Sequence, residues 1–160
     1  MRWSGTCGLA LLLALLGDTE ARAQSLPAWN FTRIAEDSLV ALWSRSVAER
    51  REVVACLGGI VGSDTVQVGR ALPLVLARAD SLTAAAEPSL ATCAPPEWIG
   101  TAHTHVRSTD ADEPAPRFSP ADRGVMSLWS TRWSRAGAFC VLYSDKRAHC
   151  EVYPPQVAPR

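Results

Sequence analysis

The sequence predicts a single domain of mixed α/β or α+β structure. Two observations predict this class. Short apolar stretches bounded by turn residues alternate with longer segments of helical periodicity. In addition, the 160 residues are enough for one modest core rather than two. The predicted order is a helix, two strands, a helix-permissive stretch, a strand, a helix and two final strands.

The first half of the chain predicts a helix and then a hairpin. Apolar residues recur at helical spacing before residue 50, including Phe31, Ile34, Leu39 and Val47. A mostly apolar run and an alternating segment follow, separated by the turn residues Gly62-Ser63-Asp64. The predicted elements are a helix over about 29–50, strands over 52–60 and 65–68, and a helix-permissive stretch over 77–86.

The second half predicts a buried strand, a helix and a closing hairpin. The strand covers Trp98–His105, and a polar loop, Arg107–Arg117, follows it. Ser119-Pro120 is typical of a helix start, because serine is a favoured N-cap and proline suits the first helical position. Apolar residues at four-residue spacing, Val125, Trp129 and Trp133, predict the buried stripe of that helix. The hairpin is predicted over 139–143 and 148–153, with its turn at 144–147.

The N-terminus is typical of a cleavable export signal. Arg2 supplies a positive charge, Leu9–Leu16 form a short apolar core, and Ala21-Arg22-Ala23 resembles a signal-peptidase site. The predicted divisions are a signal peptide at 1–23, the folded domain at 24–155 and a tail at 156–160. The expected location is therefore secreted or periplasmic.

Four cysteines lie in the predicted mature chain: Cys56, Cys93, Cys140 and Cys150. An oxidising compartment favours two disulfides, and the absence of a Cys-x-x-Cys spacing weighs against a structural zinc knuckle. Three connectivities are open. The pairs Cys140–Cys150, which flank the predicted last hairpin, and Cys56–Cys93 are favoured.

The charge balance indicates which partners to exclude. Sixteen basic and sixteen acidic residues give a formal net charge of zero, and the two signs are interspersed. This composition favours neither a nucleic acid nor an anionic membrane surface as a partner once the signal is removed.

The chain has three histidines, and two of them, His103 and His105, lie two residues apart on a predicted strand. Residues i and i+2 of a strand share a face, so both imidazoles would project together. Asp122 lies three residues after Ser119 in the first turn of the next helix, where it also fits a capping box. Two imidazoles and a carboxylate are a common ligand set for a catalytic zinc. The alternatives are one buried and one exposed histidine, and an aspartate that only caps.

Glu52 stands at the start of an apolar strand and is the favoured proton carrier. A zinc hydrolase needs a carboxylate outside the ligand set to take a proton from water and pass it to the leaving amine. A solvated glutamate is the alternative interpretation. The other candidates have weaker context; they are Glu36, Glu49, Glu97 and Glu151. His149 is predicted to lie at the surface.

These residues together resemble the JAMM (MPN-type, JAB-domain) zinc metalloproteases. The family pattern is a glutamate heading an apolar strand that ends in Leu-x-Gly, then His-x-His, then Ser-x-x-Asp opening a helix. The corresponding residues here are Glu52–Gly59, His103-Thr104-His105 and Ser119-Pro120-Ala121-Asp122. Two features depart from the pattern: Val106 stands where the family has proline, and the gap before Ser119 is longer than usual.

The resemblance implies a fold, a central mixed β-sheet flanked by helices, and it implies a function and a role for each residue. His103, His105 and Asp122 would bind Zn²⁺, Glu52 would act as general base and then acid, and Ser119 would hydrogen-bond the developing oxyanion. The implied activity is that of an exported zinc metallopeptidase or isopeptidase-like amide hydrolase acting on a protein or peptide.

Two other functions are weighed against it. One is a catalytically silent MPN-type module that binds a partner protein. The other is a small disulfide-stapled binding domain with incidental histidines.

Overall fold

A computed structural model describes residues 27–74, 89–106 and 114–154. They form two long helices and six strands in a mixed α/β arrangement, and residues 89–92 add a short helical stretch. The elements in chain order are β1 Ala28–Phe31, α1 Arg33–Glu49, β2 Val54–Val61, β3 Thr65–Pro73, β4 Gly100–Thr104, α2 Pro120–Trp133, β5 Gly137–Leu142 and β6 Ala148–Tyr153.

The six strands form one mixed sheet in the order β1-β3-β2-β4-β5-β6. Strand β4 lies inside the sheet, antiparallel to β2 and parallel to β5. The other parallel pair is β1 with β3, while β2–β3 and β5–β6 are hairpins. The middle of the sheet therefore holds the strand that carries the predicted histidine pair.

Helix α1 packs on one face of the sheet. Thr32 caps it by accepting a hydrogen bond from the Ala35 amide, and the helix ends at Arg50, which adopts the left-handed conformation. The buried side chains of α1 join inward-facing residues of β2, β3, β4 and β5 in the largest core cluster. Its helix and central-strand members include Ala35, Leu39, Leu42, Leu57, Ala102 and Cys140.

Helix α2 packs on the opposite face. Strand β5 shows this directly, because Ala138 and Cys140 belong to the α1 cluster while Phe139 and Val141 pack with Trp129 of α2. Alternation along a strand sends successive side chains to opposite faces. The predicted stripe of α2 is confirmed at Trp129, which is buried, and Val125 and Trp133 pack at the edge of the same cluster.

Both favoured disulfides are present. Cys140 and Cys150 face each other directly across the β5–β6 hairpin. Cys56 of β2 is bonded to Cys93, and the pair packs with Leu74 and Trp98 in a separate core cluster. These bonds tie β5 to β6 and tie β2 to the segment that leads into β4.

The structure corrects the predicted start of the first helix. Residues 29–31 were included in that helix, but they belong to β1, which pairs with residues 65–68 of β3. Thr32 follows at once as the N-cap, so strand and helix meet without a loop. Ile34 and Val47, predicted to face the core, are 70% and 53% exposed. Ser46 is fully buried instead.

Other element boundaries shift by a few residues. Strand β4 begins at Gly100 rather than Trp98, and β2 begins at Val54, two residues after Glu52. The predicted signal at 1–23, the helix-permissive stretch at 77–86, residues 107–113 of the loop and the tail at 156–160 lie outside the described residues. Neither α1 nor α2 is long and apolar enough to cross a membrane.

Candidate metal centre

Strand β4 contains His103 and is followed at once by His105. Both side chains lie on the face of the sheet that α2 covers. Ala102 joins the α1 cluster and Thr104 bonds to a serine of α1, so His103, between them, points the other way. The backbone of His105 continues the pairing with β5, because its N–H donates to the Leu142 carbonyl at 2.8 Å. The two Nε2 atoms consequently lie 3.2 Å apart.

Helix α2 brings Asp122 to the same point. The capping box predicted from the sequence is present: the Ser119 amide donates to Asp122 Oδ2 at 2.6 Å, and the Asp122 amide donates to Ser119 Oγ at 3.2 Å. The carboxylate also meets the histidines, with Oδ1 lying 3.3 Å from His103 Nε2 and Oδ2 3.4 Å from His105 Nε2. Capping and metal binding are therefore compatible roles for Asp122.

The donor atoms of His103, His105 and Asp122 lie within 4.8 Å of one another, and the group could hold a metal ion. Ligands that surround a zinc ion tetrahedrally at about 2.0–2.1 Å lie about 3.3–3.4 Å from one another. The separation of the two Nε2 atoms, 3.2 Å, lies close to that value, and each Nε2 lies 3.3 or 3.4 Å from a different oxygen of the Asp122 carboxylate. All three side chains are largely shielded from solvent, with exposed fractions of 13%, 10% and 9%, so an ion that they held would also be largely shielded.

The charges of the group favour an ionised aspartate. Burial alone would raise the pKa of Asp122, but hydrogen bonds from His103 and His105 outweigh it and hold that pKa far below its usual value. The same contact with Asp122 raises the pKa of His105, against the opposing effect of burial. A cluster of this kind attracts a cation, which would replace the protons that the histidines otherwise share with the carboxylate.

Glu52 lies beside this group, just before β2. Burial raises the pKa of Glu52, and the charges of His103 and His105 partly offset that rise, which places the carboxyl within their electrostatic reach. Its Oε2 atom is buried and has no hydrogen-bond partner among the described residues. A buried carboxyl oxygen without a partner is uncommon in folded proteins and indicates a site where a ligand or water belongs.

The alternative glutamates make other contacts. Glu49 is paired with Arg45 and Arg51, Glu97 with Arg70, and Glu151 with Arg123. Glu36 is exposed in the first turn of α1. Glu52, by contrast, has a carboxyl whose pKa is affected by the charges of His103 and His105.

Two contributors to the site were missed from the sequence. The Ala115 carbonyl lies 2.8 Å from His105 Nδ1, and no sequence signal points to a main-chain acceptor in an irregular segment. Phe118 is buried with its ring 5.9 Å from that of His103. Phe118 directly precedes the N-cap Ser119, and an apolar residue at that position is a known feature of helix starts. The burial of Phe118 could therefore have been predicted from the sequence.

His149 lies outside the ligand group. Its side chain is 39% exposed and its Nε2 lies 2.7 Å from Glu151 Oε1. Its ring packs edge-on against Phe118, with 5.7 Å between ring centres. The expectation of a surface histidine is met in part, because the ring is half-buried and paired.

Comparison of the chain with protein-family models and with curated proteins finds no match.

Proposed function

We propose that this protein is an exported, zinc-dependent amide hydrolase of the JAMM type, acting on protein or peptide substrates. The observation that carries the proposal is the buried Oε2 of Glu52, which has no hydrogen-bond partner among the described residues and lies near three side chains that could hold a metal ion. Two imidazoles and one carboxylate leave a fourth tetrahedral position open, which is typical of catalytic rather than structural zinc sites.

The ligand residues would be His103, His105 and Asp122. A bound Zn²⁺ supplies Lewis acidity, which makes water easier to deprotonate and polarises an amide carbonyl. The donor set favours a zinc-like ion, since imidazole and carboxylate both suit it while Mg²⁺ and Ca²⁺ prefer all-oxygen sites.

Glu52 would carry the proton. Its raised pKa and its place outside the ligand set suit a group that takes a proton from water and returns it to the departing amine. Efficient proton transfer needs a pKa between that of the donor and that of the final acceptor, and burial moves the pKa of this carboxyl in the useful direction.

Ser119 would donate a hydrogen bond to the oxyanion that forms on the attacked carbonyl. Its Oγ accepts the Asp122 amide as a helix cap, which uses one lone pair and leaves the hydroxyl proton available. A donor fixed by a helix start is already oriented for that charge, so little reorganisation is needed during the reaction.

Two disulfides are compatible with an extracellular location. An exported enzyme of this kind would act on peptides or proteins of that compartment.

The test is hydrolysis of a mixed library of fluorescence-quenched peptides by purified, zinc-loaded protein. Wild-type protein should cleave, and Glu52→Gln should bind zinc yet lose about 10²–10⁴-fold in rate. Glu97→Gln is the matched control, because Glu97 is an exposed, ion-paired glutamate away from the site. Zinc binding without cleavage of peptides or of isopeptide-linked substrates would favour a silent interaction module instead.

A further inference from the structure

A buried chain of hydrogen bonds encloses the backbone on both sides of Glu52. Ser46 of α1 and Thr104 of β4 are both fully buried, and their hydroxyl oxygens lie 2.6 Å apart. Ser46 Oγ donates to the Arg51 carbonyl at 2.6 Å, and Thr104 Oγ1 accepts from the Val53 amide at 3.0 Å. These two backbone groups belong to the residues immediately before and after Glu52.

Counting protons fixes the direction of each bond. The Arg51 carbonyl can only accept, so it takes the single hydroxyl proton of Ser46. Thr104 must then donate to Ser46, and its own lone pair receives the Val53 N–H. The chain therefore runs in one direction, from the Val53 amide through Thr104 and Ser46 to the Arg51 carbonyl, with every proton used once.

Thr104 is also the residue between the two histidines. Its side chain points to the α1 face while His103 and His105 point to the α2 face. Strand β4 thus carries a candidate metal ligand on one face and is hydrogen-bonded to the Glu52 segment on the other. A backbone bond from the Thr104 amide to the Val53 carbonyl, at 3.1 Å, adds to the same attachment.

We propose that Ser46 and Thr104 are positioning residues that fix the Glu52 carboxyl relative to His103 and His105. The inference rests on the proposed function for its catalytic consequence. Its structural content, the clamp on residues 51–53, can be tested without any substrate. A displacement of about 1 Å in a reacting group can cost about 10²-fold in rate, so a rigid attachment is expected where a proton carrier stands outside the ligand set.

The internal control is the end of α2, where Ser130 repeats the helix-end arrangement. Ser130 Oγ donates to the Arg135 carbonyl at 2.5 Å, just as Ser46 bonds five residues ahead to Arg51. Both helices end in a residue of left-handed conformation. The same hydroxyl proton is shared, at the longer distance of 3.1 Å, with the Tyr153 carbonyl of β6, so Ser130→Ala removes a comparable bond without touching the Glu52 segment.

The experiment combines amide hydrogen exchange, zinc affinity and peptide hydrolysis in Thr104→Val, Thr104→Ser, Ser46→Ala and Ser130→Ala. Thr104→Val should speed exchange at the Val53 amide by about tenfold, the worth of one buried hydrogen bond, with and without zinc. Zinc affinity should stay within a few-fold of wild type, because the three ligands remain. On the quenched-peptide library kcat should fall about 10²-fold with KM unchanged, and Thr104→Ser should recover most of it.

Several outcomes would overturn the clamp. Unchanged Val53 exchange in Thr104→Val would do so, as would a kcat loss of equal size in Ser130→Ala. A zinc affinity that fell in parallel with kcat would show an effect on the ligands rather than on Glu52. In a Glu52→Gln background Thr104→Val should cost no further kcat, and an additive loss would contradict the proposal. If Thr104→Val does not fold, Ser46→Ala is judged by the same criteria. A wild-type protein without hydrolysis would count against the proposed function, while Val53 exchange would still decide the clamp.

Discussion

Nδ1 of His105 lies 2.8 Å from the carbonyl oxygen of Ala115. A carbonyl only accepts, so Nδ1 carries the proton, and in the neutral ring Nε2 then carries the lone pair. In the metal-free protein Nε2 shares a proton with Asp122 Oδ2, 3.4 Å away; a metal ion would take the place of that proton and be bound by the lone pair. Hydrogen bonds of this kind to the second ring nitrogen fix the tautomer and orientation of metal-binding histidines, which makes Ala115 part of the candidate centre although it contributes no side chain.

We expect the purified protein to bind about one zinc ion per chain, with His103, His105 and Asp122 as ligands. The double variant His103→Ala, His105→Ala should lose the metal. His149→Ala should keep it, because His149 lies outside the group and pairs with Glu151. Elemental analysis after dialysis checks all three proteins. Full zinc content in the double variant would remove the basis of the site.

Glu52 should destabilise the metal-free protein at neutral pH. Burial raises its folded pKa above the ordinary value of 4.5, so the stability linked to this group is complete below the unfolded pKa and is lost as the pH rises through the folded pKa. Glu52→Gln removes that loss. Urea unfolding with a chelator present should show the variant more stable than wild type at pH 7, with a difference that shrinks towards pH 4. Glu97→Gln, at an exposed ion pair, should show little of this trend.

Asp122 should have the opposite pH dependence. Its folded pKa is held far below the ordinary value of 3.8, so its contribution to stability is complete above that value and is lost as the pH falls towards the folded pKa. Asp122→Asn should therefore destabilise the metal-free protein at pH 7, and less so below about pH 3. Chelator-treated wild type and variant, unfolded in urea at both pH values, give the comparison. A difference that grows on acidification would contradict the assignment.

Ser119 has a capping role in the structure and a proposed catalytic one. Loss of the cap in Ser119→Ala should cost about 1 kcal/mol of unfolding free energy, and loss of an oxyanion donor should cost about 10²-fold or more in turnover. Thr32→Ala is the matched control, because Thr32 caps α1 in the same way and lies on the other helix. Melting temperature, zinc content and turnover are measured on each preparation. A destabilised but fully active Ser119→Ala would leave Ser119 with capping alone.

The oxidised protein should contain no free thiol at Cys56, Cys93, Cys140 or Cys150, since these four form two disulfides. Each bridge is expected to add about 2–4 kcal/mol to the free energy of unfolding. Peptide mapping under non-reducing conditions identifies the pairs, and reduction should lower the melting temperature. A peptide joining Cys140 to Cys56 would be incompatible with this structure.

The parts of the fold predicted well were those that depend on local signals. The start of α2 follows from Ser119-Pro120 with Asp122 as the capping partner, and the turn at Gly62-Ser63-Asp64 places the β2–β3 hairpin. The short strand β1 was missed because Phe31 and Ile34 fit helical spacing, although Trp29 and Phe31, two residues apart, have the spacing of a strand. Its strand character depends on pairing with β3, more than thirty residues away in sequence.

The candidate site shows the same division. The proximity of His103 and His105 follows from strand alternation, and the place of Asp122 from the helix start. The burial of Ser46 could not be predicted from its neighbours, because its partners are Thr104 and the Arg51 carbonyl. Helical periodicity predicts that an apolar residue such as Val47 is buried. Ser46 is buried instead because its hydroxyl is hydrogen-bonded to Thr104, which is distant in sequence.

The Cys56–Cys93 disulfide shortens the covalent route between the two halves of the candidate site. Glu52 lies shortly before Cys56 and His103 shortly after Cys93, while the bridge bypasses a sequence separation of 37 residues. If the chain were lengthened or cut between β3 and Cys93, Glu52 and His103 would stay covalently joined through the disulfide and the segments 52–56 and 93–103. Related sequences could therefore vary in length between β3 and Cys93 without separating the proton carrier from the ligands, and a protease that nicks this stretch would leave the two groups covalently joined.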